Sequence, residues 1–204
     1  MKKTIVLNNE QLFAEKNVTK FLKVLNFLAR HPNDSFSLSE VADETDLSKS
    51  TASLIVIQLE KEGYILIGKI SNLWRIKFNT DNLAAIGYKI GINLNMIYSC
   101  GIIDYILQKW GVPKSIVLFG SVRKGEDGPD SDIDIAIEIP EKKDLSIISL
   151  ESFNDKIADK LKKFELQFKR HFKFYFFNKN KIDNNLFINI ANGIVLYGLL
   201  EVKA

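Results

Sequence analysis

Apolar side chains near the start of the chain recur at the spacing of an amphipathic helix. The residues that follow this spacing are Val18, Phe21, Leu22, Leu25, Leu28 and Ala29. We expect the helix to end near His31-Pro32, because a proline disfavours helical backbone in the residue before it. The sequence therefore predicts a first helix with one apolar face.

Two shorter helices are predicted next, in "SLSEVADETDLSKSTASLIVIQLEKEG". Ser37 or Ser39 can cap the first of them, which should run to about Thr45. Ser48 can cap the second, which should end at Gly63, since glycine is a common C-terminal stop. The pattern indicates two helices joined by a tight turn.

The next segments have the composition of β-strands. Tyr64 to Lys69 and Leu73 to Phe78 are rich in β-branched and aromatic residues and flank a turn at Ser71-Asn72. In the second segment apolar and basic side chains alternate: Trp74, Ile76 and Phe78 against Arg75 and Lys77. These features predict a hairpin.

Helices and strands also alternate in the second half of the chain. Residues 80 to 111 predict two helical pieces, and "SIVLF" at Ser115 to Phe119 predicts a buried strand between Pro113 and Gly120. We expect a longer helix that begins around Leu145, followed by a strand in "HFKFYFFN".

An unusual strand lies between these segments. Asp132, Asp134, Ala136 and Glu138 alternate with Ile133, Ile135, Ile137 and Ile139. One face is therefore apolar, and the other begins with two carboxylates about 7 Å apart. Like charges at this distance repel unless a cation compensates them, and paired carboxylates near phosphate are ligands that Mg²⁺ favours.

Composition narrows the class of protein. A chain of 204 residues can form one large or two small domains, and its single cysteine, Cys100, excludes an intramolecular disulfide. We find no leader pattern and no apolar run of the roughly 20 residues that cross a bilayer, so we expect a cytoplasmic protein without a membrane partner. The net charge of +3 does not by itself indicate nucleic acid.

The acidic strand and the turn before it form a known signature. Gly120-Ser121, ten intervening residues and Asp132-x-Asp134 resemble the DNA polymerase β-like nucleotidyltransferases, in particular their small prokaryotic minimal branch. The resemblance covers about residues 100 to 200. It implies that Asp132 and Asp134 are catalytic ligands of Mg²⁺ or Mn²⁺. It also implies that four residues bind the phosphates of an NTP, with ATP one candidate: Gly120, Ser121, Arg123 and Lys124.

The first 80 residues resemble a second family, the winged helix-turn-helix regulators, over about residues 15 to 80. The resemblance implies that double-stranded DNA contacts the start of the third helix and the wing, at Ser48, Lys49, Ser50, Thr51, Ser53, Lys69, Arg75 and Lys77. Leu54 and Ile57 depart from the family, which often has Arg or Lys there. Since basic and acidic residues nearly balance in this half, the alternative is a module that packs against its neighbour or a second copy.

The nucleotidyltransferase resemblance lacks one expected residue. Active members add a third carboxylate from a later strand, and "HFKFYFFN" contains none. Lys173 or Tyr175 should point to that position instead, and Glu165 could substitute only if the chain followed another path.

The sequence thus predicts an α+β protein. Its parts are a winged helix-turn-helix domain (1–80), a helical connector (81–99) and a nucleotidyltransferase-like α/β sandwich with a mixed sheet (100–204). Transfer of an NMP to a protein or nucleic-acid hydroxyl is the first functional hypothesis. The alternative is a weak or inactive nucleotide-sensing regulator or antitoxin-like protein. A homodimer and a small helical toxin are further partners to expect, the toxin by resemblance alone.

Overall fold

The structure, a computed structural model, describes residues 9–71, 73–141 and 144–202. It consists of two compact units, Met1–Ala85 and Ile86–Ala204. Helices and a hairpin form the first unit, and helices with a mixed five-stranded sheet form the second, so the predicted α+β fold class is confirmed. The division into 1–80, 81–99 and 100–204 stays a prediction.

Three helices and a hairpin make up the N-terminal unit. They are α1 (Asn9–Arg30), α2 (Leu38–Thr45), α3 (Lys49–Lys61), β1 (Ile65–Ile70) and β2 (Leu73–Phe78), and the two strands pair antiparallel. α1 ends directly before His31-Pro32, as predicted. Asn72, in the predicted turn, lies outside the described residues.

Side-chain caps fix where two of these helices begin. Ser37, and not Ser39, caps α2: its Oγ accepts the N–H of Glu40 at 3.3 Å, and the Glu40 carboxylate accepts the N–H of Ser37 at 2.7 Å. Ser48 caps α3 as predicted. The elements share a core of fully buried side chains: Leu25, Leu28, Val41, Ala52, Val56, Leu59, Ile76 and Phe78.

From residue 83 onward, helices and strands alternate. The helices are α4 (Leu83–Ser99), α5 (Ile102–Trp110), α6 (Gly120–Lys124), α7 (Lys156–Phe168) and α8 (Asn184–Ala191). The strands are β3 (Ser115–Phe119), β4 (Ile133–Glu138), β5 (Ser146–Ser149), β6 (Phe172–Phe177) and β7 (Ile194–Gly198). Among the described residues no single helix is long and apolar enough to span a membrane, and α4 and α5 reach that length only as a pair bent by 46°.

The five strands form one mixed sheet in the order β5-β6-β4-β3-β7, in which only β4 and β6 are parallel. Both faces are covered in part. The isoleucines of β4 and three phenylalanines of β6 pack with side chains of α5 and α7, and Val117, Ala136 and Phe177 pack with α8 on the other face. Because side chains alternate along a strand, Asp134 shares the second face with Ala136.

The segment before α7 corrects one prediction. A helix from about Leu145 is wrong: Ser146–Ser149 is the edge strand β5, a 3-10 helix follows at Leu150–Ser152, and α7 begins at Lys156. Two adjacent β-branched isoleucines favour an extended edge. The helix starts late because the Asp155 carboxylate caps it, accepting the N–H groups of Ile157 and Ala158 at 3.2 and 2.9 Å.

Candidate functional site

The Gly-Ser turn lies directly against the acidic strand. β3 ends at Phe119, α6 begins at Gly120, and Phe119 pairs with Asp134 in the sheet. Gly120 has a φ of +75°, and a Cβ there would lie 2.5 Å from Oδ2 of Asp134. Glycine is favoured here, because the backbone angle would strain a larger residue and a Cβ would displace the nearby carboxylate.

The two aspartates, a lysine and a tyrosine meet at this end of the sheet. The sequence predicted Asp132 inside β4, but this residue lies one position before the strand. The hydrogen bonds that define the strand begin only with the N–H of Ile133. Nζ of Lys173 is 2.5 Å from Oδ2 of Asp132. Tyr175, two residues further along β6, donates its hydroxyl hydrogen bond to Asp134. Both side chains therefore point where the third carboxylate was expected.

Burial and these partners act on the titrating groups in opposite directions. Burial raises the pKa of Asp134, and the Tyr175 hydrogen bond and the Lys173 charge oppose that shift. The hydrogen bond and charge of Asp132 raise the pKa of Lys173. Burial, followed by the charge and hydrogen bond of Asp134, raises the pKa of Tyr175. At neutral pH the site therefore pairs an ammonium with the aspartates.

Glu165 does not supply the missing acid. Its side chain is buried on α7, where Oε1 accepts the N–H of Phe172 at 2.6 Å and Oε2 lies 3.9 Å from Nδ1 of His171. In the part of the chain that the structure describes, no three His, Cys, Asp or Glu side chains are placed to hold a metal ion. Two carboxylates suit one Mg²⁺ that also takes water and phosphate oxygens, and they leave a second ion without a further carboxylate.

The predicted phosphate-binding residues are close in sequence but differ in surroundings. Gly120, Ser121, Arg123 and Lys124 all lie on the five-residue helix α6. Nε of Arg123 is buried without a hydrogen-bond partner among the described residues. Nζ of Lys124 lies 3.6 Å from the Glu126 carboxylate in an exposed pair. Arg123 is thus the cation on α6 whose unpartnered donor is buried.

A buried polar cluster follows α6, and no sequence pattern predicted it. The Asp127 side chain is fully buried; Oδ1 accepts a hydrogen bond from Asn93 at 2.8 Å and lies 3.6 Å from Nζ of Lys89. Nη2 of Arg170 lies 2.5 Å from Oδ2. The Arg170 guanidinium also reaches the Gly128 carbonyl at 3.2 Å. In "GEDGPDSD" the three acids before Asp132 look equally solvated, and nothing local marks Asp127 as the buried one.

The predicted DNA-contacting residues lie on α3 and the hairpin. Ser48 caps α3, and its hydroxyl is within 3.0 Å of that of Ser50 and 2.9 Å of that of Thr51. Lys49 is exposed at the first turn, and Ser53 is half-buried. The wing cations Lys69, Arg75 and Lys77 are all exposed. The structure thus presents these cations to solvent.

Two comparisons with known families agree with this architecture. The family profile of the nucleotidyltransferase domain matches residues 99–196. That of the IclR helix-turn-helix domain matches residues 17–66. No curated protein matches the chain. The first match spans the sheet with the Gly-Ser turn and the aspartates, and the second spans α1 (from residue 17) to the start of β1.

Proposed function

We propose that this chain, which joins an IclR-type helix-turn-helix domain to a nucleotidyltransferase domain, binds an NTP with a divalent cation and transfers its NMP to a hydroxyl group, with release of pyrophosphate. The acceptor would be a protein or nucleic acid, and ATP is one candidate donor. The observation that carries the proposal is the close approach of Asp134 to Gly120, where an added Cβ would lie 2.5 Å from the Asp134 carboxylate. It brings the turn suited to phosphate and the carboxylate suited to metal within one site.

Each residue of the site has a distinct part in this proposal. Asp132 and Asp134 would hold Mg²⁺ or Mn²⁺, while the backbone of Gly120 and Ser121 and the side chain of Arg123 hold the triphosphate, with Lys124 adding charge. When bound, the cation would neutralise phosphate charge and make the acceptor hydroxyl more acidic. Lys173 must first leave Asp132. Because this ion pair is partly exposed, water and phosphate oxygens can take up the ammonium.

The Lys173 contact also supports a second candidate function. A lysine in place of a third carboxylate lowers the negative charge that would hold a second cation. The site would then bind an NTP with slow transfer or none, and nucleotide would regulate the affinity of the helix-turn-helix domain for duplex DNA. A homodimer and a small helical toxin stay predicted partners under either function.

A melting experiment tests nucleotide binding itself. We expect ATP or another NTP to raise the melting temperature only when Mg²⁺ or Mn²⁺ is present, because ligands that bind the folded state stabilise it. The Asp132→Asn/Asp134→Asn variant should lose this shift. Equal shifts in the variant and the wild type would contradict the proposed site.

A labelled-NTP transfer assay separates the two functions. It compares the wild type with Lys173→Glu, which restores a carboxylate, and with Lys163→Met, a control that removes an exposed lysine of α7. Transfer by the wild type and the control supports the transferase. Nucleotide binding without transfer, with transfer gained in Lys173→Glu, supports the sensor.

A further inference from the structure

The outward face of α3 is apolar. Ala52, Val56 and Leu59 are fully buried against the core. At 3.6 residues per turn the opposite side of the helix carries Ser50, Leu54, Ile57 and Lys61. Of these, Leu54 is 72% exposed and Ile57 is 48% exposed. Two large apolar side chains therefore lie at the centre of the surface that a helix-turn-helix presents to DNA.

The polar side chains near this face already have partners. The hydroxyls of Ser48, Ser50 and Thr51 contact one another. The amide of Gln58 donates to the Glu62 carboxylate at 2.5 Å. These side chains would have to break their present hydrogen bonds before they could bond to base edges. Leu54 and Ile57 can contact apolar groups of the bases without breaking any hydrogen bond.

Charge around the face favours a nucleic acid over a second copy of the chain. Lys61, at the end of α3, lies on the same side of the helix as Leu54, and Lys49 is exposed at the start of the helix on its flank; neither lysine forms an ion pair with a described residue. Two copies of α3 packed face to face would bring like charges together. Two apolar side chains also cover far less than the roughly 800 Å² per partner of a stable interface. Phosphates on both sides of a major groove, by contrast, suit lysines at both ends of the helix.

The apolar group on base edges in the major groove is the C5-methyl of thymine. We propose that Leu54 and Ile57 contact thymine methyl groups, so that α3 selects sites rich in A·T pairs at the positions it faces. This inference rests on the proposed binding of duplex DNA. It identifies two specificity-determining residues at the positions where the sequence departs from the basic pattern of its family.

Replacement of thymidine by deoxyuridine tests the proposal, because the two nucleosides differ only by the C5-methyl group. Duplexes are first enriched from a random library with the full chain at low salt, and thymines of the enriched site are then replaced by deoxyuridine. We expect the affinity to fall about fourfold for each contacted methyl, from the transfer free energy of a buried methylene. Cytosine replaced by 5-methylcytosine at the same positions should recover part of the loss.

Variants assign the effect to the two side chains. Leu54→Ala/Ile57→Ala should bind thymine and uridine duplexes equally, and both side chains are exposed enough that folding should be retained. Leu166→Ala, an exposed leucine of α7, should keep the discrimination of the wild type. Binding that is indifferent to uridine in the wild type overturns this inference and leaves DNA binding intact.

The absence of any duplex binding at low salt overturns the inference and DNA binding together. Sedimentation then shows whether the face joins two copies: a dimer lost in Leu54→Ala/Ile57→Ala would assign it to self-association.

Discussion

Two acid–cation groups in the C-terminal unit differ in burial. Asp127 is 0% exposed and lies between Lys89 and Arg170, which are 1% and 6% exposed. Asp132 and Lys173, by contrast, are 31% and 44% exposed. Water can therefore replace either partner of the second pair, and it cannot reach the first group without local unfolding.

Burial gives the two groups different properties. The Asp127 cluster fastens the loop between α6 and β4, and this loop joins the Gly120-Ser121 turn to the aspartates. Burial lowers the pKa of Lys89 even though the Asp127 charge raises it. Keeping this lysine charged inside the protein therefore costs free energy. In the proposed function, a metal and the phosphates of the NTP would replace the Asp132–Lys173 pair. Only the exposed pair is suited to ligand binding.

Asp127→Asn should cause the largest loss of stability. It leaves two buried cations without a carboxylate, and breaking a buried ion pair costs about 3–5 kcal/mol. Urea unfolding measures the change. Asp130→Asn, an exposed acid of the same loop, is the matched control and should be near neutral. Asp127→Asn/Lys89→Met should recover part of the loss, and an unchanged midpoint in Asp127→Asn would show that the cluster contributes little.

The sequence predicted the surface site better than this interior one. Gly120-Ser121 and Asp132-x-Asp134 are local patterns, and the alternation in "HFKFYFFN" placed Lys173 on the face where it is found. Asp127, Asn93 and Arg170 are brought together over distances of 34 and 43 residues, and no local period encodes such contacts. Edge strand β5 was missed for a similar reason, because its partner β6 lies far along the chain.

Glu165→Ala should have the next largest effect. This carboxylate is buried like Asp127 but accepts a backbone N–H, from Phe172. Its removal leaves a buried donor unsatisfied, which costs about 1–3 kcal/mol. Glu165→Gln keeps an acceptor and should be closer to the wild type in urea unfolding. Neither variant should alter the Mg²⁺-dependent shift by NTP, and loss of that shift in Glu165→Gln would make Glu165 a ligand.

Alanine substitutions at two glycines separate the cost of backbone strain from disruption of the Asp134 site. Gly120 and Gly101 have φ angles of +75° and +81°, but a Cβ at Gly101 meets nothing within 4 Å. Alanine at either position should cost about 1–2 kcal/mol for the left-handed backbone. Only Gly120→Ala should also displace Asp134 and abolish the NTP-induced shift in melting temperature. Retention of that shift would mean that the Gly120–Asp134 contact does not matter for binding.

Lys173→Met should have the smallest effect on stability, because partly exposed ion pairs contribute about 0–1 kcal/mol. The pKa of Lys173 is raised in the folded state, chiefly by its hydrogen bond to Asp132. Its contribution is therefore fully present below the ordinary lysine value of 10.5 and is lost as the pH rises through the raised value.

Urea unfolding of Lys173→Met beside Lys163→Met, at neutral pH and above the lysine range, measures this contribution, and added salt should weaken it. A loss as large as that of Asp127→Asn would mean that Lys173 locks Asp132 in the folded state. The exposed pair would then resemble the buried cluster, and a metal could not displace the ammonium.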